Sequence, residues 1–496
     1  MRILLFILVP AALFVLAGAG LRVSHLGIDH TILVMGERRL VSGGPAAMRV
    51  TLIDDQSGFF LPERLSAWLV QGETRHLLFD REVVDAGHAV ACNFTVPVLK
   101  KGTARLELHV HFSGRRRIIR RSVVVVDAPA KETLSFPPDV KQAGAPVQKP
   151  VGDHTVSLFT EDRGATAGLS TLLFVRTLSA AGDPVSAPFA FALPSFGKSE
   201  TPRIVEGETG KTGISAFPVT PNDLYYPLRM VAGEGQFVPP VVYNGLKVDF
   251  RTPLPRVRDG VEMDISRISG AGALYIDVFK DGAWVFGQTV WADGERAAVT
   301  LQPPVAGLLR IQVTGSPLQA GTGLAVRHVY VMDDAGTVDS GLRAILSRLT
   351  DETDRRWAEG IPSSLTQSET LLTASFALSR LYAGHRNLPS LVSSRREDDA
   401  ELGAFKARFQ RGVMVAISLL GLTVAAFIGF IARQAARRQA RITRMIEADS
   451  DADEPGPDQV DRADRRWGIF QIAVLLLVLL AAFVAVGILV MTLTWS

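Results

Sequence analysis

The chain has 496 residues, and its 53 lysines and arginines nearly balance its 50 aspartates and glutamates, which leaves a net charge of +3. With so small an excess of positive charge the sequence contains no basic domain, which argues against a nucleic-acid-binding protein. The length predicts several domains, and the single cysteine, Cys92, excludes an intrachain disulfide. Arginine outnumbers lysine, as in proteins encoded by GC-rich bacterial genomes.

Residues 1–19 are predicted to form a signal peptide. An apolar run from Ile3 to Ala17 follows Met1-Arg2, and Ala17-Gly18-Ala19 has the small-x-small pattern that a signal peptidase cleaves. The alternative is an uncleaved anchor, although the run is short for a span and Pro10 interrupts it. Either interpretation places the following residues outside the cytoplasm.

The middle of the chain is predicted to contain three β domains. Residues 21–126 form short runs of alternating apolar and polar residues between turns, which predicts a first β-sandwich. Cys92 lies in one of these runs and is predicted to be buried. Residues 127–150 contain five prolines and are predicted to be an extended linker. Residues 151–250 and 260–335 return to the β pattern and are predicted to be domains 2 and 3.

The turns and strands of this region carry a resemblance. Gly182-Asp183-Pro184, a pairing strand and the glycine-led run from Gly213 to Pro218 resemble bacterial immunoglobulin-like and macroglobulin-type domains. The resemblance implies tandem immunoglobulin-like β-sandwiches and no particular activity. Thioester macroglobulins carry a reactive Cys and Gln motif that Cys92-Asn93-Phe94-Thr95 does not match, so the resemblance does not extend to a covalent protease trap.

The C-terminal part is predicted to be helical and membrane-spanning. Residues 338–410 show the i, i+3, i+4, i+7 spacing of an amphipathic helix and are predicted to form a juxtamembrane helical neck. Its apolar face is predicted to pack against itself or the adjacent β domain, and a membrane-surface or partner-binding segment is the alternative. Residues 412–432 and 468–494 lack ionisable side chains and are long enough to cross a bilayer, which predicts two transmembrane helices. The loop between them, residues 433–467, carries arginines next to both spans and is predicted to be cytoplasmic.

Two groups of residues are candidates for binding. A cluster of guanidinium groups predicts a patch for an anionic partner, with simple solubility of an exposed edge as the alternative; its members are Arg115, Arg116, Arg117, Arg120 and Arg121. Small residues recur every four positions at Gly421, Ala425 and Gly429, which predicts close helix packing against the second span or against a partner's helices.

No catalytic residue, metal site or cofactor is predicted. Glu107, His109 and His111 alternate along one strand face and have the chemistry of zinc ligands. The adjoining arginines oppose cation binding, however, so a solvated strand face is the favoured interpretation. The sequence contains no G-x-S-x-G, H-E-x-x-H or C-x-x-C motif.

Together these features predict a mainly β protein in which tandem immunoglobulin-like β-sandwiches precede a helical neck and two transmembrane helices. The predicted function is a non-enzymatic binding or scaffold protein, anchored in the bacterial inner membrane with most of the chain outside the cytoplasm and with a protein partner in the envelope. The alternatives are an envelope hydrolase with an unrecognised site and a signal transducer that acts through the cytoplasmic loop. Homo-oligomerisation stays open.

Overall fold

The computed structural model divides into two units, residues Met1–Asp29 with Ser394–Ser496 (unit 1) and residues His30–Ser393 (unit 2). Each unit is described by itself. The structure describes residues 2–28, 30–54, 56, 58–83, 87–129, 147–161, 164–194, 203–223, 225–231, 236–242, 245–268, 270–318, 323–381, 384–449, 474, 477–478 and 480–492.

The described part of unit 2 is dominated by strands, in agreement with the predicted β class. The first nine strands are β1 (His30–Gly36), β2 (Arg39–Val41), β3 (Pro45–Asp54), β4 (Phe59–Phe60), β5 (Arg64–Gln71), β6 (Thr74–Glu82), β7 (Val90–Thr95), β8 (Gly102–Phe112) and β9 (Arg115–Val126). The next ten are β10 (Val147–Val151), β11 (His154–Thr160), β12 (Ala165–Thr166), β13 (Thr171–Ser179), β14 (Pro188–Ala192), β15 (Ile204–Glu208), β16 (Ile214–Val219), β17 (Leu228–Met230), β18 (Gln236–Phe237) and β19 (Val241–Val242). The last eight are β20 (Leu246–Phe250), β21 (Val261–Arg267), β22 (Gly272–Lys280), β23 (Ala283–Ala292), β24 (Arg296–Leu301), β25 (Gly307–Thr314), β26 (Leu324–Val331) and β27 (Ser390–Ser393).

Domain 1 is a sandwich of two five-stranded sheets. One sheet has the order β27-β1-β3-β4, with β7 also paired to β3, and the other has the order β2-β9-β8-β5-β6. Alternate residues of both sheets point inward, so Val34 and Val50 from one sheet meet Leu65 and Val110 from the other in a single core, each fully buried. Cys92 is buried in the same core, as predicted.

The last strand of domain 1 comes from the far end of unit 2. β27 pairs antiparallel with β1, with Leu33 opposite Ser393, and contributes Leu391 and Val392 to the domain 1 core. This differs from the predicted organisation, in which residues 21–126 formed the domain alone and residues 338–410 were helical. A four-residue strand has too few residues to show a period of two, so the sequence pattern gave no sign of it.

Domain 2 places two four-stranded sheets around an aromatic core. Their orders are β10-β11-β13-β16 and β15-β14-β17-β18, with β12 and β19 as a short parallel pair. Phe191, Phe217 and Phe237 lie between the sheets, with ring centroids of neighbouring pairs 5.6 to 5.8 Å apart. Residues 130–146 of the predicted linker lie outside the described residues. Its last four residues belong to β10, an edge strand, where Pro150 is tolerated because one side of the strand needs no ladder hydrogen bond.

Domain 3 is a seven-stranded sandwich with sheet orders β20-β21-β24 and β23-β22-β25-β26. Its core contains Leu274, Ile276 and Leu309, all without solvent exposure. The hairpin between β22 and β23 turns at Asp281 and Gly282, whose φ values of 47° and 83° define the left-handed turn that fits the twist of paired strands. An Asp-Gly pair between two strand-like runs is the sequence signal for such a hairpin turn.

Three short helices pack on the β domains of unit 2 and do not form a neck. They begin at capping residues Thr337, Asp351 and Thr366, whose side chains accept backbone N–H bonds, and they span Val338–Leu346 (α2), Glu352–Glu359 (α3) and Gln367–Arg380 (α4). A single 3₁₀ turn, Val257–Asp259, precedes them in the chain. The ring of Phe376 in α4 lies 5.2 Å from that of Phe159 in domain 2 and 4.9 Å from that of Trp357 in α3. The apolar faces of these helices are buried against domain 2, in agreement with the predicted packing on an adjacent β domain, whereas Ser390–Ser393 within the predicted helical range form a strand.

Buried ion pairs join the parts of unit 2. Arg49 of domain 1 pairs with Asp277 of domain 3 at 2.6 Å. Arg327 of domain 3 pairs with Glu161 of domain 2 at 2.7 Å. Arg176 of domain 2 pairs with Asp354 of α3 at 2.5 Å. The junction of domains 1 and 3 also contains a reciprocal amide pair: the Asn93 side chain donates to the Gly287 carbonyl at 2.9 Å and accepts from its N–H at 2.8 Å. Unit 2 is thus one assembly of interlocked domains.

The described part of unit 1 is helical. Helix α1 spans Arg2–Ser24 and a long helix, α5, spans Arg395–Asp449. Residues Glu397–Ile442 of α5 are long and apolar enough to cross a membrane, with an 18-residue window of mean hydropathy 2.4. Of the second predicted span, 468–494, the described part forms the apolar helix Leu480–Thr492, and residues 468–473 lie outside the described residues.

Candidate functional site

The outer face of the second sheet of domain 1 gathers cationic side chains from three of its strands, β6, β8 and β9, with β5 lying between β6 and β8. Arg75 lies on β6, Arg105 on β8, and Arg116 and Arg120 on β9. Cross-strand register places them around Glu107, His109 and Trp68, since Trp68 on β5 and Arg120 on β9 both lie opposite Glu107 on β8. This set of seven residues is called the basic face below.

Glu107 is the centre of the basic face. Its carboxylate lies 3.2 Å from Nε of Arg120, 3.2 Å from Nε of Arg105 and 3.3 Å from Nη2 of Arg75. Partial burial would raise the pKa of Glu107, but the hydrogen bond from Arg120 and the charges of the three arginines outweigh it, so the pKa lies below its usual range. The carboxylate stays ionised and holds three guanidinium groups in place.

His109 and Trp68 form the floor beside this carboxylate. Their ring centroids lie 4.3 Å apart, and the guanidinium carbon of Arg75 lies 4.2 Å from the centroid of the Trp68 ring. Burial lowers the pKa of His109, and the charges of Arg116 and Arg75 lower it further. His109 is therefore neutral near pH 7, and its Nδ1 accepts the hydrogen bond from Nη2 of Arg116 at 2.6 Å.

The arginines of the basic face remain exposed to solvent although one nitrogen of each of three guanidinium groups contacts Glu107. The side chains of Arg75, Arg105 and Arg120 are 46%, 56% and 60% exposed. Four arginines against one carboxylate leave a surplus of three positive charges within the set. A shallow depression of about 380 Å³ borders it, lined by Val70, Gly72, Thr103, Ala104, Arg105, Arg120, Arg121 and Ser122. Carboxylate or phosphate groups fit guanidinium groups arranged in this way.

The structure divides the predicted arginine cluster. Only Arg116 and Arg120 share the face of Glu107, because side chains alternate along β9. Arg117 and Arg121 lie at the alternate positions of β9, where they pair across the strands with the inward-facing Val110 and Leu106. Arg115 lies next to the hairpin turn and pairs with Phe112. The alternation of Arg105, Glu107 and His109 would have identified the face from sequence. The contribution of Arg75 required knowledge of the β5–β6 pairing.

The predicted solvated face of β8 is also corrected. Glu107 and His109 are only 7% and 6% exposed, since the arginines and Trp68 cover them. His111 lies further along the strand, opposite Arg116 and Arg64. Among the described residues, no group of three His, Cys, Asp or Glu side chains is arranged to hold a metal ion.

The predicted small-residue stripe lies on α5. A Cβ atom added at Gly421 would lie 3.8 Å from the Phe483 ring of the C-terminal helix, whereas one added at Gly429 would meet no described atom within 4 Å. Ala425 is exposed within unit 1. One position of the stripe therefore approaches the second apolar helix, and the other two remain open on the surface of α5.

No protein-family model matches the chain, and no curated protein matches it. Solved structures match at low identity. The native conformation of E. coli alpha-2-macroglobulin is 10% identical over 62% of this chain and 22% of that one, with a TM-score of 0.16. Dimeric latent PorU from Porphyromonas gingivalis is 12% identical over 62% of this chain and 34% of that one, with a TM-score of 0.22. The FN1-FN3 domains of chicken CNTN1 are 10% identical over 60% of this chain and 97% of that one, with a TM-score of 0.14.

The chain thus spans 22% of the alpha-2-macroglobulin and 34% of the PorU chain. The predicted resemblance to macroglobulin-type and immunoglobulin-like domains is one of fold alone, at 12% identity or less. Activity, substrates and partners of the matched proteins do not follow for this chain.

Proposed function

We propose that this chain is a membrane-anchored binding or scaffold protein of the bacterial envelope, and that its basic face docks an acidic segment of a partner protein. In this proposal residues 412–432 within α5 and residues 468–494, which include the apolar helix Leu480–Thr492, are two transmembrane helices. Residues 433–467 are cytoplasmic, and unit 2 lies outside the cytoplasm. The partner belongs to the same envelope.

The basic face is the observation that carries the binding role. Glu107 and Trp68 restrain the arginines before any ligand arrives, so less side-chain freedom is lost on binding than for isolated surface arginines. The arginines keep 46% or more of their side-chain surface exposed, so their remaining N–H groups are available to carboxylates. An acidic protein segment supplies several carboxylates at the spacing of neighbouring strands, which suits this arrangement.

The anchoring role is supported by the length and hydropathy of α5. The window of mean hydropathy 2.4 is only 17% buried within the described structure, unlike the core helix of a soluble protein. Arginines continue along the last turns of α5 at Arg433, Arg437, Arg438 and Arg441, which favours a cytoplasmic location for that end.

A pull-down from detergent-solubilised membranes tests the binding role. The full chain is compared with a variant that carries Arg105→Gln and Arg120→Gln, and the recovered partners are quantified at low and moderate salt. The double variant is expected to recover at least tenfold less of an acidic co-purifying protein than the wild type does. The amount that the wild type recovers is expected to fall as the salt concentration rises, because salt screens exposed charges.

The matched control replaces two arginines of similar exposure elsewhere, Arg251→Gln and Arg258→Gln, whose side chains are 58% and 65% exposed. The control variant is expected to retain the partner. Equal recovery by both double variants would contradict the assignment of the basic face, and loss in both would indicate attraction by overall charge.

Orientation is tested with epitope tags in spheroplasts. A tag inserted near residue 455 is expected to be protected from added protease, while unit 2 is degraded. Protection of unit 2 together with digestion of the tag would reverse the proposed topology.

A further inference from the structure

Helix α1 is a continuous helix, and its part Leu8–Ser24 is one of the shorter apolar helices of unit 1. It is continuous from Arg2 to Ser24, so Ala17-Gly18-Ala19 lies within helix and not in an extended segment. Residues 3–21 contain no ionisable side chain. As a helix, residues 3–21 measure about 28 Å, close to the roughly 30 Å hydrocarbon thickness of a bilayer.

One stripe of α1 is packed against other helices of unit 1. Val9 and Leu13, one turn apart, are 5% and 3% exposed and belong to a cluster with Val413, Ile417 and Val424 of α5. The neighbouring Phe14 is 80% exposed. The helix therefore has a docked apolar stripe and further apolar surface around it, which is stable in lipid and costly in water.

The two ends of unit 2 lie side by side. Unit 2 begins at His30 on β1 and ends at Ser393 on β27, and these strands pair antiparallel with Leu33 opposite Ser393. The chain therefore enters and leaves unit 2 at the same end of one sheet.

We propose that α1 is retained in the mature protein as a further transmembrane helix, docked antiparallel on α5 through Val9 and Leu13. This proposal rests on the membrane anchoring proposed above. The chain is then not cleaved after residue 19, and a membrane helix anchors unit 2 at each of its two ends.

The first test follows the fate of the N-terminus. The full chain carries one epitope tag after Met1 and another at the C-terminus, and membranes are washed with alkaline carbonate before immunoblotting. Retention predicts both tags on one membrane-bound band, at the same mobility as an Ala19→Leu variant in which the small-x-small site is blocked. A lighter membrane-bound band without the N-terminal tag, and a slower Ala19→Leu band, would overturn retention while leaving the anchor by α5 intact. Release of the whole chain by carbonate would instead refute membrane anchoring itself.

The second test measures docking of α1 on α5. In a Cys92→Ala background, Leu13→Cys is combined with Ile417→Cys or Val424→Cys, and the matched controls use Phe14→Cys with the same partners. A protease site placed between residues 127 and 150 separates α1 from α5 on a non-reducing denaturing gel unless a disulfide joins them. At least one Leu13→Cys pair is expected to remain linked after mild oxidation, several-fold more than either control. Equal linking of the Leu13→Cys and Phe14→Cys pairs would overturn the docked stripe.

Discussion

The ion pair between Arg49 and Asp277 offers the sharpest test of how domains 1 and 3 are held together. Neither side chain has any solvent exposure, and Nη2 of Arg49 lies 2.6 Å from Oδ1 of Asp277. Arg49 also donates to the carbonyl of Pro317 at 3.3 Å and stacks 4.9 Å from the Tyr275 ring centroid. Arg49→Met and Asp277→Leu each remove the countercharge of a buried ion. Each is expected to lower the free energy of unfolding of unit 2 by about 3–5 kcal/mol.

The double variant Arg49→Met, Asp277→Leu is expected to recover most of this loss, because replacing both ions removes both desolvation penalties. Urea unfolding of residues 30–393 is the assay, followed by intrinsic tryptophan fluorescence. One of the contributing side chains is Trp284, whose ring lies 5.8 Å from the Arg49 guanidinium carbon. The control is the exposed pair Arg64 and Asp80, whose removal should leave the midpoint nearly unchanged. The reasoning fails if a single buried variant costs less than about 1 kcal/mol or if the two costs simply add.

Three further predictions concern single side chains. The pKa of His109 is lowered by burial and by neighbouring arginines, so the unfolded chain takes up a proton at a higher pH than the folded chain does. The stability of the fold should therefore decline as the pH falls below the ordinary histidine pKa of 6.5. His109→Gln should flatten that part of the pH profile of thermal unfolding. Trp357→Ala should cost about 3–5 kcal/mol in denaturant titrations, because the ring is fully buried. Gly210 and Gly213 have φ values of 59° and 65°, but only a Cβ at Gly213 would meet a backbone oxygen, at 2.6 Å. Gly210→Ala should therefore cost about 1–2 kcal/mol and Gly213→Ala clearly more, as read from the melting temperatures of the two variants.

Local turns and strands were predictable because their signals lie within a few residues. Ser113 and Gly114 have φ values of 48° and 68° and close the β8–β9 hairpin, and a Ser-Gly pair between two strand-like runs is a local signal for such a turn. Leu342 and Ile345 are buried, as their helical spacing requires, at 5% and 0% exposure. The spacing identifies an apolar face but not the surface that covers it. Domain 2 and the segment around Leu254 and Met332 cover this face, and the spacing alone could not single them out.

The basic face was predictable only in part. The count of arginines in residues 115–121 drew attention to the correct hairpin, but alternation sends only Arg116 and Arg120 to the face of Glu107. Arg75 reaches Glu107 because β5 pairs with both β6 and β8, and pairing between strands is not encoded in a local period. Side chains from four strands thus form a site that no single stretch of sequence displays.

The return of β27 to domain 1 determines where this protein can be cut for study in solution. A fragment that ends near residue 335, after the last strand of domain 3, leaves β1 with a bare row of backbone N–H and C=O groups and uncovers the part of the core that Leu391 and Val392 close. Such an open edge recruits strands from other molecules. A recombinant fragment should therefore extend through Ser393. A shorter one is expected to self-associate even though every domain seems complete from its own stretch of sequence.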